Sequence, residues 1–130
     1  QQLGGKLMEF RENVSDNQLR QAYYQAGVHV CNSVDNFESG TLPILESMAC
    51  GVPVVSRKVG HVGDLYTGNN LKLLSGNSRD VEGIKVALRQ VMKDKEATRK
   101  MIKEGANTVA QRNYATWSKQ HLEVYKKIRH

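Results

Sequence analysis

Residues 52–56, Val-Pro-Val-Val-Ser, constrain the fold more than any other stretch, because their β-branched side chains do not alternate with polar ones. A run of this kind belongs to a strand of a parallel sheet that is covered on both faces. It directly follows Gly51, the stop signal for a helix expected over TLPILESMACG. In that helix Thr41 or Gly40 can cap, and Pro43 falls in the first turn, where its missing N–H does no harm. The same step from helix to strand occurs upstream. Asp16 reads as an N-cap, Leu19, Ala22, Tyr23 and Ala26 recur at helical spacing, Gly27 ends the helix, and VHVCN predicts a strand over residues 28–32.

Two shorter apolar runs extend this rhythm. KLMEF predicts a strand over residues 7–10, and LKLL predicts one over residues 71–74. Strands interleaved with helices indicate an α/β fold with a parallel, Rossmann-like sheet and flanking helices. After Ser75 the pattern is helical. Asp80 can cap a helix whose apolar face is Ile84, Ala87, Leu88 and Val91, and Met101, Ile102, Gly105 and Val109 mark a second. Trp117, His121, Val124, Tyr125 and Ile128 mark a third, with Trp117 and Tyr125 expected to pack. The chain therefore divides into a sheet region, 1–75, and a helical part, 76–130.

Composition narrows the classes. With 130 residues, 39% hydrophobic and 25% charged, the chain is globular and about one domain long. No apolar run approaches the roughly 18 residues of a membrane span. Cys31 and Cys50 lie in apolar segments without a CxxC or Cys/His cluster, so they read as small buried thiols of a reducing cytosol, with no metal and no cofactor. His29, between two valines, reads as a satisfied core or sheet-face histidine. Charge is uneven: residues 1–64 carry 5 Lys/Arg and 7 Asp/Glu, and residues 65–130 carry 14 and 6. The basic half could attract phosphates, anionic lipid or nucleic acid, but its Lys and Arg alternate with apolar residues as on solvated helix faces.

The chemistry concentrates in residues 32–55. Glu38 lies in the loop after a strand and Glu46 eight positions later on the next helix, with Ser39, Gly40, Thr41 and Leu42 forming a small-residue turn at the helix N-terminus. Free N–H groups and the positive dipole end meet there at the carboxyl edge of a parallel sheet, which suits a phosphate. Carboxylates do not bind phosphate; they accept hydrogen bonds from hydroxyls. A ligand with phosphate and polyol parts, such as a nucleotide sugar, satisfies both.

The run FESGTLPILESMACGVPVV closely resembles the E-x7-E region of the retaining, group 1 (family-4-type) glycosyltransferases, usually close to EGFGLPLLEAMACGVPVV. Glu38 and Glu46 fall on the two glutamates, and residues 48–55 match MACGVPVV unchanged. Upstream, MEFRENVSDNQLRQAYYQAGVHVCNS is similar to the family's strand, loop, helix and strand. Downstream, VGHVGDL is similar to its GGxxE loop and YATWSKQHLEVYKKI to its closing helix. The resemblance implies a GT-B fold, of which this chain would be most of the C-terminal, donor-binding domain.

By this resemblance Glu38 contacts the donor sugar at the catalytic centre, Glu46 binds the nucleotide ribose, and backbone N–H groups of Ser39, Gly40, Thr41 and Leu42 contact sugar and diphosphate. Val14 and Asp16 fall where the family contacts the base. The partner is then a nucleotide diphosphate sugar, with no nucleic acid. The expected location is the cytoplasm, with peripheral contact at the cytoplasmic membrane face. The sequence departs from the family where Thr41 replaces a glycine, and where His61 and Asp64 stand in the GGxxE loop. The family's diphosphate-binding Arg and Lys and its N-terminal acceptor domain precede Gln1, so the expectation is a truncated domain. The strand over residues 28–32 would then present an edge that is normally covered. The rival expectation is a non-catalytic α/β domain whose basic helices bind nucleic acid or an anionic membrane.

Overall fold

A computed structural model of the chain describes residues 9–33, 42–77 and 79–128. Three parallel strands, β1 (His29–Cys31), β2 (Val54–Ser56) and β3 (Lys72–Leu73), lie in the order β1-β2-β3, with His29 opposite Val54 and Val55 opposite Lys72. All three are shorter than the sequence predicts. Helix α1 (Asp16–Gln25) precedes β1, α2 (Leu42–Ala49) and α3 (Val62–Leu65) lie between the strands, and α4 (Val81–Lys93), α5 (Lys95–Ala110) and α6 (Tyr114–Ile128) follow. This is the Rossmann-like α/β arrangement expected. Of the strand expected over 7–10, only Glu9 and Phe10 are described, and both are exposed and unpaired in any ladder. Among the described residues β1 is an edge strand.

The central strand is fully buried and sorts the core into two layers by its pleat. Val54 packs with Ile44, Met48, Val59, Val62, Leu65 and Leu71 on one face. Val55 packs with Leu74, Ala87, Val91 and Met101 on the other.

α2 ends as its sequence predicts. Gly51 takes φ +72°, the left-handed region that a side chain disfavours, and its N–H donates to Met48 O while the Val52 N–H donates to Ser47 O. These paired bonds are a Schellman closure, and they turn the chain directly into β2. α2 is also clasped by α5. A Cβ at Gly105 would stand 3.1 Å from Met48 Cγ, so the absence of a side chain there sets how closely the two helices approach. Beside them buried Asn70 donates to Leu65 O and to Thr108 Oγ1, tying the entry of β3 to α5.

The helix starts follow local side-chain chemistry. Asp80 accepts from the Gly83 N–H, as expected, and Asp94 accepts from the Ala97 N–H. For α1 the cap is Ser15, one residue before the expected Asp16, because only Ser15 has a glutamine three residues on to complete a capping box. The packing expected of α6 is not observed. It has no buried residue, and Trp117, Tyr125 and Ile128 are each more than half exposed. An apolar stripe reports a face that favours burial, and no described element covers this one. The two thiols are free and half-buried rather than buried. Among the described residues no helix is long and apolar enough to cross a membrane.

Replacing Gly105 by Val should lower the unfolding free energy by about 1–3 kcal/mol, because the branched side chain overpacks against Met48. Urea denaturation measures this. A Val variant as stable as the parent would show that α2 and α5 are not held in close contact.

Candidate functional site

In a parallel α/β unit the helices run against the strands, which brings the first turn of α2 to the carboxyl edge of the sheet. Leu42 and Pro43 open that turn and are exposed. Glu38, Ser39, Gly40 and Thr41 lie outside the described residues. Glu46, one turn further along, stands exposed on the side of α2 that meets α1, and the Tyr23 hydroxyl donates to its Oε2 at 3.1 Å. A cavity of about 230 Å³ opens here, lined by Asp16, Leu19, Arg20, Tyr23, Glu46, Ala49 and Cys50.

The structure thus brings Asp16 and Glu46 to one cavity. Val14 is half-buried just ahead of the α1 cap and does not line it. Leu42 lines a separate groove with Arg112, Asn113, Tyr114 and Trp117. A larger cavity, about 620 Å³, lies at the opposite edge of the sheet beside Lys72. Its volume alone does not make it the site, since it holds none of the carboxylates that the sequence singles out.

Sequence reasoning missed Tyr23, which lines the α1–α2 cavity, and Arg57, at the carboxyl edge of the sheet. Tyr23 occupies a core-facing position of the α1 stripe, and its ring also tilts against His29 of β1, centroids 5.9 Å apart. Burial, then the hydrogen bond and charge of Glu46, push the Tyr23 hydroxyl up to about 12. The phenol is therefore a hydrogen-bond donor across the physiological range. His29 is half-buried, but among the described residues its Nε2 is buried without a partner, so it is not the satisfied histidine that the sequence suggests.

Arg57 leaves the end of β2 and is only 4% exposed. Its Nε donates to Asn32 Oδ1 at 2.6 Å and its Nη1 to Gly76 O at 2.7 Å. These bonds join the segments that follow β1 and β3. Among the described residues its Nη2 is buried without a partner. No sequence signal marks it, because an Arg after an apolar run reads as a surface residue. The tie places a positive charge under the carboxyl edge, where it favours anionic ligands.

In the segment resembling the GGxxE loop the structure has the short helix α3. His61 precedes it without a side-chain cap bond and pairs instead with Asp64, Nδ1 to Oδ2 at 3.2 Å, both side chains well exposed. Among the described residues no group of three or more His, Cys, Asp or Glu side chains could hold a metal.

Burial holds the His29 ring below its ordinary 6.5, and the Glu46 carboxylate partly opposes this. Neutral His29 is the form that the fold accommodates. Its contribution to stability is complete above about 6.5, the unfolded value, and is lost as pH falls through the lower folded value. A proton NMR titration should place the His29 midpoint below that of an unfolded reference, and Glu46→Gln should lower it further. A midpoint at or above the reference would contradict the burial of His29 behind Tyr23.

Comparison with known proteins bears on the fold and the family. Among the solved structures that share the fold are a sucrose-phosphate synthase and HepE. Sucrose-phosphate synthase from Thermosynechococcus elongatus is 25% identical with a TM-score of 0.78, over 95% of this chain and 31% of that one. HepE from Anabaena, solved in complex with UDP-glucose, is 22% identical with a TM-score of 0.67, over 92% of this chain and 31% of that one. The chain therefore spans 31% of the length of each of these proteins. Among curated proteins none matches. Residues 2–108, which include the α1–α2 cavity and both glutamates, match the model of the glycosyl transferases group 1, and the chain belongs to that family.

Proposed function

We propose that this chain is the donor-binding part of a glycosyltransferase that moves a sugar from a nucleotide diphosphate sugar to an acceptor. The observation that carries the reading is the shared cavity of Asp16 and Glu46, with the Tyr23 hydroxyl already bonded to the Glu46 carboxylate. That bond marks the carboxylate as an acceptor of hydroxyl donors at a site open to solvent. The two ribose hydroxyls of a nucleotide present the same chemistry, and they would replace or join Tyr23. HepE, whose structure contains UDP-glucose, shares the fold and supports a nucleotide-sugar ligand for this chain.

The reaction breaks the bond between the anomeric carbon and the diphosphate oxygen, with the electron pair leaving on the diphosphate. The acceptor oxygen forms the new bond and gives its proton to the departing diphosphate. The N-terminal end of α2 would stabilise the negative charge growing on the leaving group. Glu38 would hold sugar hydroxyls, with the backbone N–H groups of Ser39, Gly40, Thr41 and Leu42 on the sugar and diphosphate. Glu46 and Asp16 would hold the nucleoside. No metal or other cofactor enters this scheme.

The acceptor would sit on a second, N-terminal domain. The exposed apolar residues of α6, among them Trp117, Val124 and Ile128, support a further protein surface against this helix. The proposed location is cytoplasmic, with contact at the membrane face through the basic helices. The rival reading, a non-catalytic basic domain for nucleic acid or membrane, leaves the Glu46 cavity without a purpose.

Titration with UDP, GDP and ADP sugars should find one donor that binds. Glu46→Ala should weaken it by about 10- to 100-fold, since each hydrogen bond to a charged carboxylate contributes about 1.5–3 kcal/mol. No binding by any of the three, or binding unchanged in Glu46→Ala, would overturn the proposal. Tight binding to nucleic acid with a steep salt dependence would favour the rival.

A further inference from the structure

The second half of the chain has a basic cavity that the donor site does not use. It is about 620 Å³ and lies at the amino edge of the sheet, where Lys72 opens β3 and where α4 ends and α5 begins. It shares no lining residue with the cavity between α1 and α2. Lys72, Arg89 and Lys93 surround the cavity, and none of them forms an ion pair within the described residues. Asp94 is the one carboxylate among the lining residues, and its Oδ1 is engaged by the Ala97 N–H at 2.9 Å. The carbonyl end of α4 and the N–H end of α5 meet at Asp94, so their dipoles oppose each other. What remains is side-chain charge, three cations against one anion.

The floor of the cavity is apolar. Val91 and Met101 are buried members of the second core layer and form its base, with Val86 at the rim. A ligand that fits must therefore bring about two negative charges together with an apolar body. The volume is that of a small-molecule pocket, which run from about 300 to 1,000 Å³. It is too small for an extended polymer.

We propose that the amino-edge cavity bounded by Lys72, Arg89 and Lys93 binds a small phosphate monoester with an apolar or aromatic body. The phosphate dianion matches the excess of two positive charges, and the body covers Val91 and Met101. The site is separate from the donor cavity, so the proposal stands or falls independently of the transferase reading. The ester could come free from solution or as the headgroup of a lipid. The concave shape and limited volume favour the free form.

The test is an NMR titration of the full chain, following the Val91 and Met101 methyl signals, with three probes: 1-naphthyl phosphate, inorganic phosphate, and vesicles containing phosphatidylglycerol. Naphthyl phosphate should shift both methyls saturably, and inorganic phosphate should bind at least about 10-fold more weakly because it leaves the apolar floor uncovered. The double variant Arg89→Ala/Lys93→Ala should weaken naphthyl phosphate by at least about 10-fold. Both residues are exposed, so the fold should survive the change. Glu46→Ala should leave this binding as it is. Equal affinity for naphthyl and inorganic phosphate, affinity unaffected by the double variant, no methyl shift, or a response to vesicles alone would each overturn the proposal.

Discussion

The central strand β2 is the constraint on which the rest of the molecule depends. Its three residues are fully buried, and because side chains alternate across a strand, Val54 and Val55 commit opposite faces of the sheet to two separate core layers. α2 must then lie on the Val54 face, α4 closes over the Val55 face, and α5 reaches both, with Met101 in one layer and Gly105 and Val109 toward the other. A strand buried on both sides allows no polar alternation and no slip of register, since a shift by one residue would exchange the two cores. The continuous apolar run in the sequence is the direct trace of this requirement.

That placement produces the site. α2 connects β1 to β2, so its first turn is carried to the carboxyl edge, and the Schellman closure at Gly51 fixes its other end against the start of β2. Held by Met48 and Gly105 on the α5 side, α2 turns Glu46 toward α1, where Tyr23 bonds it. Tyr23 in turn covers His29 of β1. One strand and two helices thus meet around a single carboxylate. Arg57, reaching from the end of β2 to Asn32 and Gly76, ties together the segments that leave β1 and β3 at the same edge.

Much of this is legible in the sequence, and the parts that are not share a cause. β2, the α2 stop at Gly51 and the Asp80 cap follow from local rules, because strand burial, left-handed turns and capping depend on a few neighbouring residues. The Ser15 cap was written in the sequence as well, in the glutamine three residues on. The pairing of Tyr23 with Glu46 and the reach of Arg57 to Asn32 join residues more than 20 positions apart, and the orphaned Nε2 of His29 is likewise set by tertiary packing, so no local pattern reports them. The stripe on α6 shows the limit from the other side. Periodicity identifies an apolar face, while the partner that would cover it is a tertiary fact. The two glutamates were recognisable only as part of a longer string, since a carboxylate on a helix is by itself an ordinary surface residue.

The central claim is that Glu46, reached from α1 across the Tyr23 bond, is the ribose-binding group of a nucleotide site. A crystal structure of the protein with a nucleoside diphosphate tests it most directly. The account predicts both ribose hydroxyls within hydrogen-bond distance of the Glu46 carboxylate, in the cavity that Asp16 and Tyr23 share. A nucleotide bound elsewhere, with the Tyr23 hydroxyl still the only group on Glu46, would contradict it.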